Sequence, residues 1–411
     1  MGLILVHHDT DSPALYGAVA AAVAAGENHR FMHLDARFDT SRHADAKQHA
    51  VAKGGLAASG LYWFERLSGQ PVAPPATIEA IFDAARIEDI VVPVHPAFMA
   101  DAEAVSALAA RATGVVNVDD RGDRFLNRET GAVLAWRDCF GRITLAPTEA
   151  ASAAALKIAL IGARRDHIGV YPSALASLAD AADSLSIAVS IDFIDPADFG
   201  EADADMVLRP YAGVLLPGGS DMKNVPGQTA VAAFALENAV PAVGLCLGMQ
   251  TMATAVAWKA FGRRGANLAE ADPDAGIKTF LAMAGEEKAD GGLLPDHRSG
   301  DQITRPVAGT RLADIIPCDT TVRCNHRFRL NPDILGDLET HGLRVAALGV
   351  DGAVVDAIEV PDHPFYMGMQ GHPELSSRAN APHPLIVAFL KAALLQHRPE
   401  NRNRFSDLHD A

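Results

Sequence analysis

One cysteine is set in glycine. Residues 243–250 read VGLCLGMQ, with Cys246 between Gly244 and Gly248, after an apolar run and before an alanine-rich helical stretch. A cysteine that only packs behaves as a small hydrophobe and needs no flanking glycines. Glycines at that spacing fit a chain turning sharply from strand to helix, with one residue held out at the apex. This is the arrangement in which a hydrolase carries its serine. At a helix N-terminus a thiolate would gain from unpaired N–H groups and the helix dipole, which lowers its pKa. Two further stretches bear on it. AGVLLPGGSD ends an apolar strand at Gly218 and Gly219, where bare backbone can approach a ligand and present an N–H. FYMGMQGHPELSSR carries His372 and Glu374 two residues apart; read as extended, it points both side chains the same way. Glu374 could then orient an imidazole facing the thiol, which is the logic of an activated nucleophile. Taken alone, Cys246 also fits a structural buried thiol. Cys139, Cys318 and Cys324 have no such surroundings and read as packing or surface residues.

A second set of chemistry-bearing residues lies near the start of the chain. Three strand-like runs end in polar clusters: LILVHHDTD, VVPVHP and VVNVDD. In an open parallel sheet the C-terminal ends of strands share one edge, the usual place for a ligand. His7 or His8, Asp9, Asp11, His95, Asp119 and Asp120 would then converge on an acceptor molecule or a metal that polarises one. The competing reading makes Asp9 and Asp11 helix caps and the histidines surface residues.

These residues must be positioned by elements that the composition can supply. At 411 residues, with 49% apolar and 21% charged residues, the chain has core material for two domains of an ordinary soluble protein. A formal charge of −16 argues against nucleic acid as the partner, because phosphate binding needs clustered Lys and Arg. The longest small-apolar stretch, YGAVAAAVAAG, is too short to span a bilayer. The opening MGLILVHHD has no basic segment ahead of its apolar run, and the four cysteines form no CxxC pair. A reducing cytoplasm with free thiols is the expectation.

Strand-like and helix-like segments alternate twice. GLILVHHD, RFMHLDA, IEDIVVPVHP and GVVNVDD read as strands, with helices in SPALYGAVAAAVAAG, PATIEAIFDAAR and DAEAVSALAARA. RFLNRETGAVLAWRDCFGRITLAP reads as an antiparallel extension. This predicts a small α/β domain over 1–150, with TEAASAAAL as linker. KIALIGARRD restarts the rhythm, followed by VSIDFID, YAGVLLPGG and AVGLCLGM, then a helix from about Gln250, giving a second domain over 155–398. EEKADGGLLPDHRSGD reads as a solvated acidic loop or a lid, and 399–411 as a loose polar tail. No internal repeat is present.

LLPGGSD, ENAVPAVGLCLGMQ, GLRVAALGVDGAVVDAIEVPDHPFYMGMQGHPELSSR and HPLIVAFLKAAL together resemble a class I glutamine amidotransferase, from about Lys157 to Arg398. Within that class they are most similar to the glutaminase domain of CTP synthase. The resemblance implies an α/β fold with an open sheet of flavodoxin-like or α/β-hydrolase-like kind, carrying a nucleophile elbow. It implies that Cys246 attacks glutamine to form a γ-glutamyl thioester, with His372 as base and acid and Glu374 as its orienting partner. Backbone N–H groups of Gly219 and Leu247, with Gly218 beside them, would form the oxyanion hole. Gln250, Glu270 and Arg327 would hold the glutamine backbone, Arg327 by a fork on the α-carboxylate and Glu270 on the α-ammonium.

The chain also departs from that pattern. No GxxxxGK[ST] loop occurs and the synthase half is not recognised, so a CTP synthase is not expected. Ser220 and Asp221 stand where the resemblance leads one to expect Phe and Gly. Lys223 replaces an arginine tied to GTP activation, and RFRLN replaces a Tyr-Glu pair. The expected partners are L-glutamine and an unidentified ammonia acceptor or partner synthase subunit, with no cofactor and no metal. The alternatives are a γ-glutamyl hydrolase and a non-catalytic binding or regulatory protein.

Overall fold

GLILVH has no polar residue before its last position, as expected of a strand covered on both faces. In the computed structural model, which describes residues 1–51, 55–99, 102–148, 155–199, 204–263, 265–285 and 293–397, it is the centre of a sheet. Strands β1 (Gly2–His7), β2 (Arg30–Phe31), β3 (Asp89–Val94) and β4 (Gly114–Asp120) are parallel in the order β2-β3-β1-β4. Beyond β4 the antiparallel strands β5 (Arg124–Asn127), β6 (Val133–Arg137) and β7 (Ile143–Thr144) extend the sheet. Leu3, Leu5, Ile90, Val92 and Val94 pack against Ile81, Ala84, Ala104 and Leu108 of helices α3 (Ile78–Ala85) and α4 (Ala102–Arg111). The opposite face takes α1 (Ala18–Glu27), with α2 (Tyr62–Ser68) packed on it. Gly17 enters α1 at φ 76°, where a Cβ would stand 2.9 Å from Leu61, 3.3 Å from Phe31 and 3.8 Å from Pro93. RFMHLDA is mostly not strand: pairing covers Arg30–Phe31 and the Met32 N–H on Val91 O, 3.0 Å, and then His33 turns to the Leu34 and Ala73 carbonyls.

Among the described residues, 1–148 and 165–176 form one compact unit and 155–164 and 177–397 another. The short helix α5 (Arg164–Gly169) and the start of α6 (Ser173–Ser184) thus go with the first unit, although the strand before them goes with the second.

Among the described residues, the main sheet of the second unit has nine strands. β8 (Leu156–Leu160), β9 (Val189–Phe193), β10 (Gly213–Leu216), β11 (Ala242–Leu245), β12 (Arg298–Pro306), β13 (Thr320–His326), β14 (Arg344–Gly349), β15 (Val355–Glu359) and β16 (Tyr366–Met369) lie in the order β9-β8-β10-β11-β16-β15-β14-β12-β13. The first five in that order are parallel and the remainder antiparallel. α7 (Ala204–Leu208), α8 (Val225–Glu237) and α9 (Leu247–Phe261) contribute to one apolar core with Val214, Leu216, Met249, Met252, Val256 and Tyr366. No helix among the described residues is long and apolar enough to cross a membrane.

Three sequence expectations are corrected here. The helix after Cys246 begins at Leu247, not near Gln250, so its first turn follows the cysteine directly. The His-Pro-Glu segment is a 3-10 turn over Pro373–Ser376 with His372 as its first flanking residue, because proline suits the first position of a helical turn. In EEKADGGLLPDHRSGD, the end from Arg298 onward is strand β12, with Arg298 buried, while 286–292 lie outside the described residues. Most of the linker, 149–154, and the polar tail also lie outside them.

Candidate active site

Register sets the site. Leu216 pairs with Gly244 across β10 and β11, and Leu245 with Met369 across β11 and β16. The residues that follow, Gly218, Cys246 and Gln370, therefore leave three adjacent parallel strands at one level of the C-terminal edge. Cys246 donates its N–H to Met369 O at 2.8 Å and adopts φ 50°, ψ −106° before α9 begins. That backbone is uncommon for a residue with a Cβ and costs about 1–3 kcal/mol, a cost sustained only where the surroundings fix it.

The flanking glycines are what fix it. A Cβ on Gly248 would run into the Leu216 carbonyl of β10, and one on Gly244 would stand 2.5 Å from Met252 Sδ and 2.6 Å from Gly248 C. The first turn of α9 thus crosses the sheet edge at a distance only hydrogen allows. Leu247 is the first helical residue, so its N–H has no carbonyl one turn back within the helix.

The other side of the thiol is formed by the His-Pro-Glu turn. His372 Nδ1 donates to Glu374 Oε1 at 2.8 Å, with the two side chains 3% and 1% exposed. That bond leaves Nε2 as the nitrogen for proton exchange with the Cys246 thiol, to which the ring is hydrogen-bonded. Burial alone would push the imidazole pKa down. The Glu374 carboxylate and the Cys246 sulfur outweigh it and hold the ring well above the ordinary value of 6.5. Gly218 closes the group: a Cβ there would lie 2.9 Å from His372 Cε1 and 3.3 Å from Cys246 Cβ. Gly219 follows in the same loop.

The remaining predicted contacts occupy two places. Asn325 O lies 4.0 Å from Cys246 Sγ, and Arg327 follows two residues later, exposed at the end of β13. The loop bearing Glu270 is tied down beside it. Ala269 N–H donates to Phe280 O, Phe280–Ala282 pairs with Phe328–Leu330, and Met283 N–H donates to Arg327 O at 2.9 Å. Desolvation raises the Glu270 pKa and the Arg327 charge partly offsets it, so the two opposite charges share one neighbourhood. Gln250, 4% exposed, instead turns its amide to Gln370 Oε1 at 3.4 Å. Lys223 is 81% exposed, within 3.8 Å of Asp221, which caps the turn Met222–Asn224. Sequence reasoning missed Gln370 and Asn325. No local pattern marked either one: Gln370 meets the thiol through the register of β11 with β16, and Asn325 through its main-chain carbonyl.

In the first unit, His8 and His95 begin the loops after β1 and β3. They are 2% and 1% exposed, their ring centroids 5.5 Å apart. His95 Nε2 accepts the Gly17 N–H at 2.9 Å, and Phe125 meets His8 edge-on. Burial pushes His8 down to about 4, with Asp120 opposing and Arg137 reinforcing, and pushes His95 well below its ordinary value, so both rings are neutral at pH 7. Asp120 pairs with Arg137 at 2.8 Å and Asp119 with Arg121 at 2.6 Å, while exposed Asp11 pairs with Arg42 at 2.9 Å. His8, His95 and Asp120 come together, with His7 and Asp9 within electrostatic reach of the His8 ring, while Asp11 and Asp119 turn to their arginines. Asp9 and Asp11 are not caps of α1 either, since Gly17 occupies that position. Among the described residues no group of three or more His, Cys, Asp or Glu stands close enough to hold a metal ion.

The geometry on the second unit has known counterparts. The family model described as glutamine amidotransferase class-I matches residues 167–392. A CTP synthase of Thermus thermophilus is 34% identical over 245 residues, 58% of this chain and 44% of that relative. A CTP synthase of Nitrobacter winogradskyi is 33% identical over 253 residues, 59% of this chain and 47% of the relative. The chain thus spans just under half the length of these relatives. Among solved structures, the glutaminase domain of Trypanosoma brucei CTPS with bound acivicin superposes with TM-score 0.53 at 25% identity, covering 58% of this chain and 94% of that one. With more than half of its length matched by the family model, this chain belongs to the class I glutamine amidotransferase family.

Proposed function

We propose that this protein hydrolyses L-glutamine through a γ-glutamyl thioester on Cys246 and delivers the ammonia to an acceptor. The observation that carries the reading is the His372–Glu374 bond at 2.8 Å beside a thiol at a strand-to-helix apex. The Cys246 sulfur adds to the glutamine Cδ carbonyl, and the oxygen takes negative charge beside the Gly219 and Leu247 N–H groups. The C–N bond breaks as His372 gives its proton to the departing ammonia. Water then adds to the thioester while His372 takes its proton; collapse releases glutamate and restores the thiol. Glu270 and Arg327 have the charges to meet the α-ammonium and α-carboxylate, and those charges lie within reach of each other.

The acceptor is assigned to the first unit. β1 continues through α1 past β3 to β2, while β3 continues through α4 past β1 to β4, so the two connections leave over opposite faces. Ligands of open sheets bind at such a switch point. His8 and His95 stand there as neutral rings, and among the described residues the buried His8 Nδ1 has no hydrogen-bond partner. This chemistry suits a small polar acceptor rather than a nucleotide phosphate, and the whole activity named for the CTP synthases is not carried over to this chain. Four free thiols fit a reducing compartment. With Lys223 exposed in place of the activating arginine, GTP should leave the basal rate unchanged.

A steady-state comparison of free glutamine with γ-glutamyl amides, following glutamate and ammonia together, tests the reading. Preference for glutamine with equimolar ammonia supports it; preference for γ-glutamyl peptides makes the protein a γ-glutamyl hydrolase, and no turnover of either makes it a binding protein. For the acceptor, the triple variant His8→Ala, His95→Ala, Asp120→Ala should lose ligands that the wild type binds in a screen. Unchanged binding would place the acceptor site elsewhere.

A further inference from the structure

Gln370 is entirely buried and touches both Cys246 and the first turn of α9. Its Nε2 lies 3.8 Å from Cys246 Sγ, and its Oε1 accepts from Gln250 Nε2 at 3.4 Å. The backbone beneath it is clamped: Gln370 N–H donates to Asp356 O at 2.8 Å. The Asp356 carboxylate is held by Arg298 at 2.5 and 3.2 Å and by the Thr304 hydroxyl at 2.9 Å. This buried pair fixes β15 against β12, and the main-chain bond from Gln370 carries that anchoring to the residue that follows β16. The carboxamide therefore has one stem position, and its two ends differ chemically. With nitrogen toward the sulfur it offers a donor to a negative charge; with oxygen toward the sulfur it would repel that charge. Gln250, donating to the oxygen end, selects the first orientation.

We propose that Gln370 is a positioning residue that stabilises the Cys246 thiolate through its N–H, and that Gln250 sets the direction of that amide. This gives Gln250 a role in the nucleophile's surroundings beyond any contact with substrate. The inference rests on Cys246 being the nucleophile of the reaction proposed above.

The test is the pH dependence of Cys246 alkylation by iodoacetamide in the full chain, followed by peptide mass mapping. Gln370→Met keeps the length and removes the donor; Gln370→Glu puts negative charge beside the sulfur. Gln250→Met leaves Gln370 in place and frees its amide to turn. Loss of one charge-assisted donor should move the Gln370→Met profile about one pH unit to the alkaline side, slowing alkylation near neutrality roughly three- to tenfold. Gln370→Glu should move it further and Gln250→Met less. The kcat for glutamine should fall in Gln370→Met with KM nearly unchanged, a split that general loosening of the fold would not give. Should Gln370→Met fail to fold, the Gln250→Met profile decides, because that change leaves β16 intact. A profile coincident with wild type in whichever of these variants folds overturns the inference while leaving the nucleophile in place. A wild type whose Cys246 is not alkylated in preference to Cys139 and Cys318, the two exposed thiols, overturns both.

Discussion

Gly218 and His372 approach so closely that a methyl group on the glycine would lie 2.9 Å from the imidazole Cε1. The ring has no free direction in which to yield, because Nδ1 is bound to Glu374. Gly218→Ala should therefore displace His372 from the thiol and leave the fold largely intact. A shift of a few tenths of an ångström to 1 Å in a reacting group costs about ten- to a hundredfold in kcat. Steady-state glutaminase rates and a thermal melt measured side by side check this; wild-type turnover would show that the ring is not needed where it stands.

The charge on His372 gives a pH dependence with a definite sign. Its pKa lies well above 6.5 once the Glu374 carboxylate and the Cys246 sulfur have outweighed burial. A raised folded value means that the charged pair stabilises the protein fully below about 6.5 and that this is lost as pH rises through the folded value. Glu374→Gln removes the main supporting charge, so the ring should titrate at lower pH, and kcat should fall with glutamine binding largely kept. Histidine NMR titration of wild type and variant separates the two cases; an unmoved His372 resonance would contradict the assignment.

Arg327 and Glu270 should act on binding. Truncating one partner of a charge-assisted contact costs roughly 2–5 kcal/mol, so Arg327→Ala should raise KM for glutamine by more than tenfold with kcat nearly kept. Glu270→Gln, which removes the charge meant for the α-ammonium, should raise KM likewise. An unchanged KM in Arg327→Ala would move the carboxylate contact elsewhere.

Acid should destabilise the first unit through His8. Its pKa falls from 6.5 unfolded to about 4 folded, burial being the main cause. Between those values the unfolded chain binds a proton that the folded chain does not. Stability then declines as pH drops from about 6.5 to about 4 and levels off below. His8→Gln should flatten that decline by up to about 1.4 kcal/mol per pH unit. Urea unfolding at pH 7, 6 and 5 reads the slope directly, and an identical slope in the variant would show His8 to be open to solvent.

What the sequence made legible followed from local rules. The glycines around Cys246 announced a close crossing, and Gly248 against the Leu216 carbonyl is that crossing. The central parallel strands β1, β10 and β11 were readable as apolar runs, and the polar ends at His8 and His95 as a shared edge. The helix start was misjudged because Leu247, Gly248 and Met249 carry no capping signal: the thiol itself occupies the capping position with no side-chain cap bond. The His-Pro-Glu turn was read as extended because a spacing of two fits strand alternation; in the structure His372 precedes the turn at φ −114°, ψ 74°, and that backbone lets Glu374 reach its ring. Gln370 was passed over because its role depends on register between β11 and β16, which no local pattern encodes. The packing of 165–176 with the first unit was hidden for the same reason.

The central claim is that Cys246 is the nucleophile of a glutaminase. The most direct measurement is the mass of the protein and of its peptides after exposure to a glutamine-like electrophile such as a γ-diazo ketone analogue, with and without competing glutamine. The account predicts one adduct per chain, on the peptide carrying Cys246, suppressed by glutamine and absent from Cys246→Ala, which should also release no glutamate. An adduct on another residue, or full glutamate release by Cys246→Ala, would contradict it.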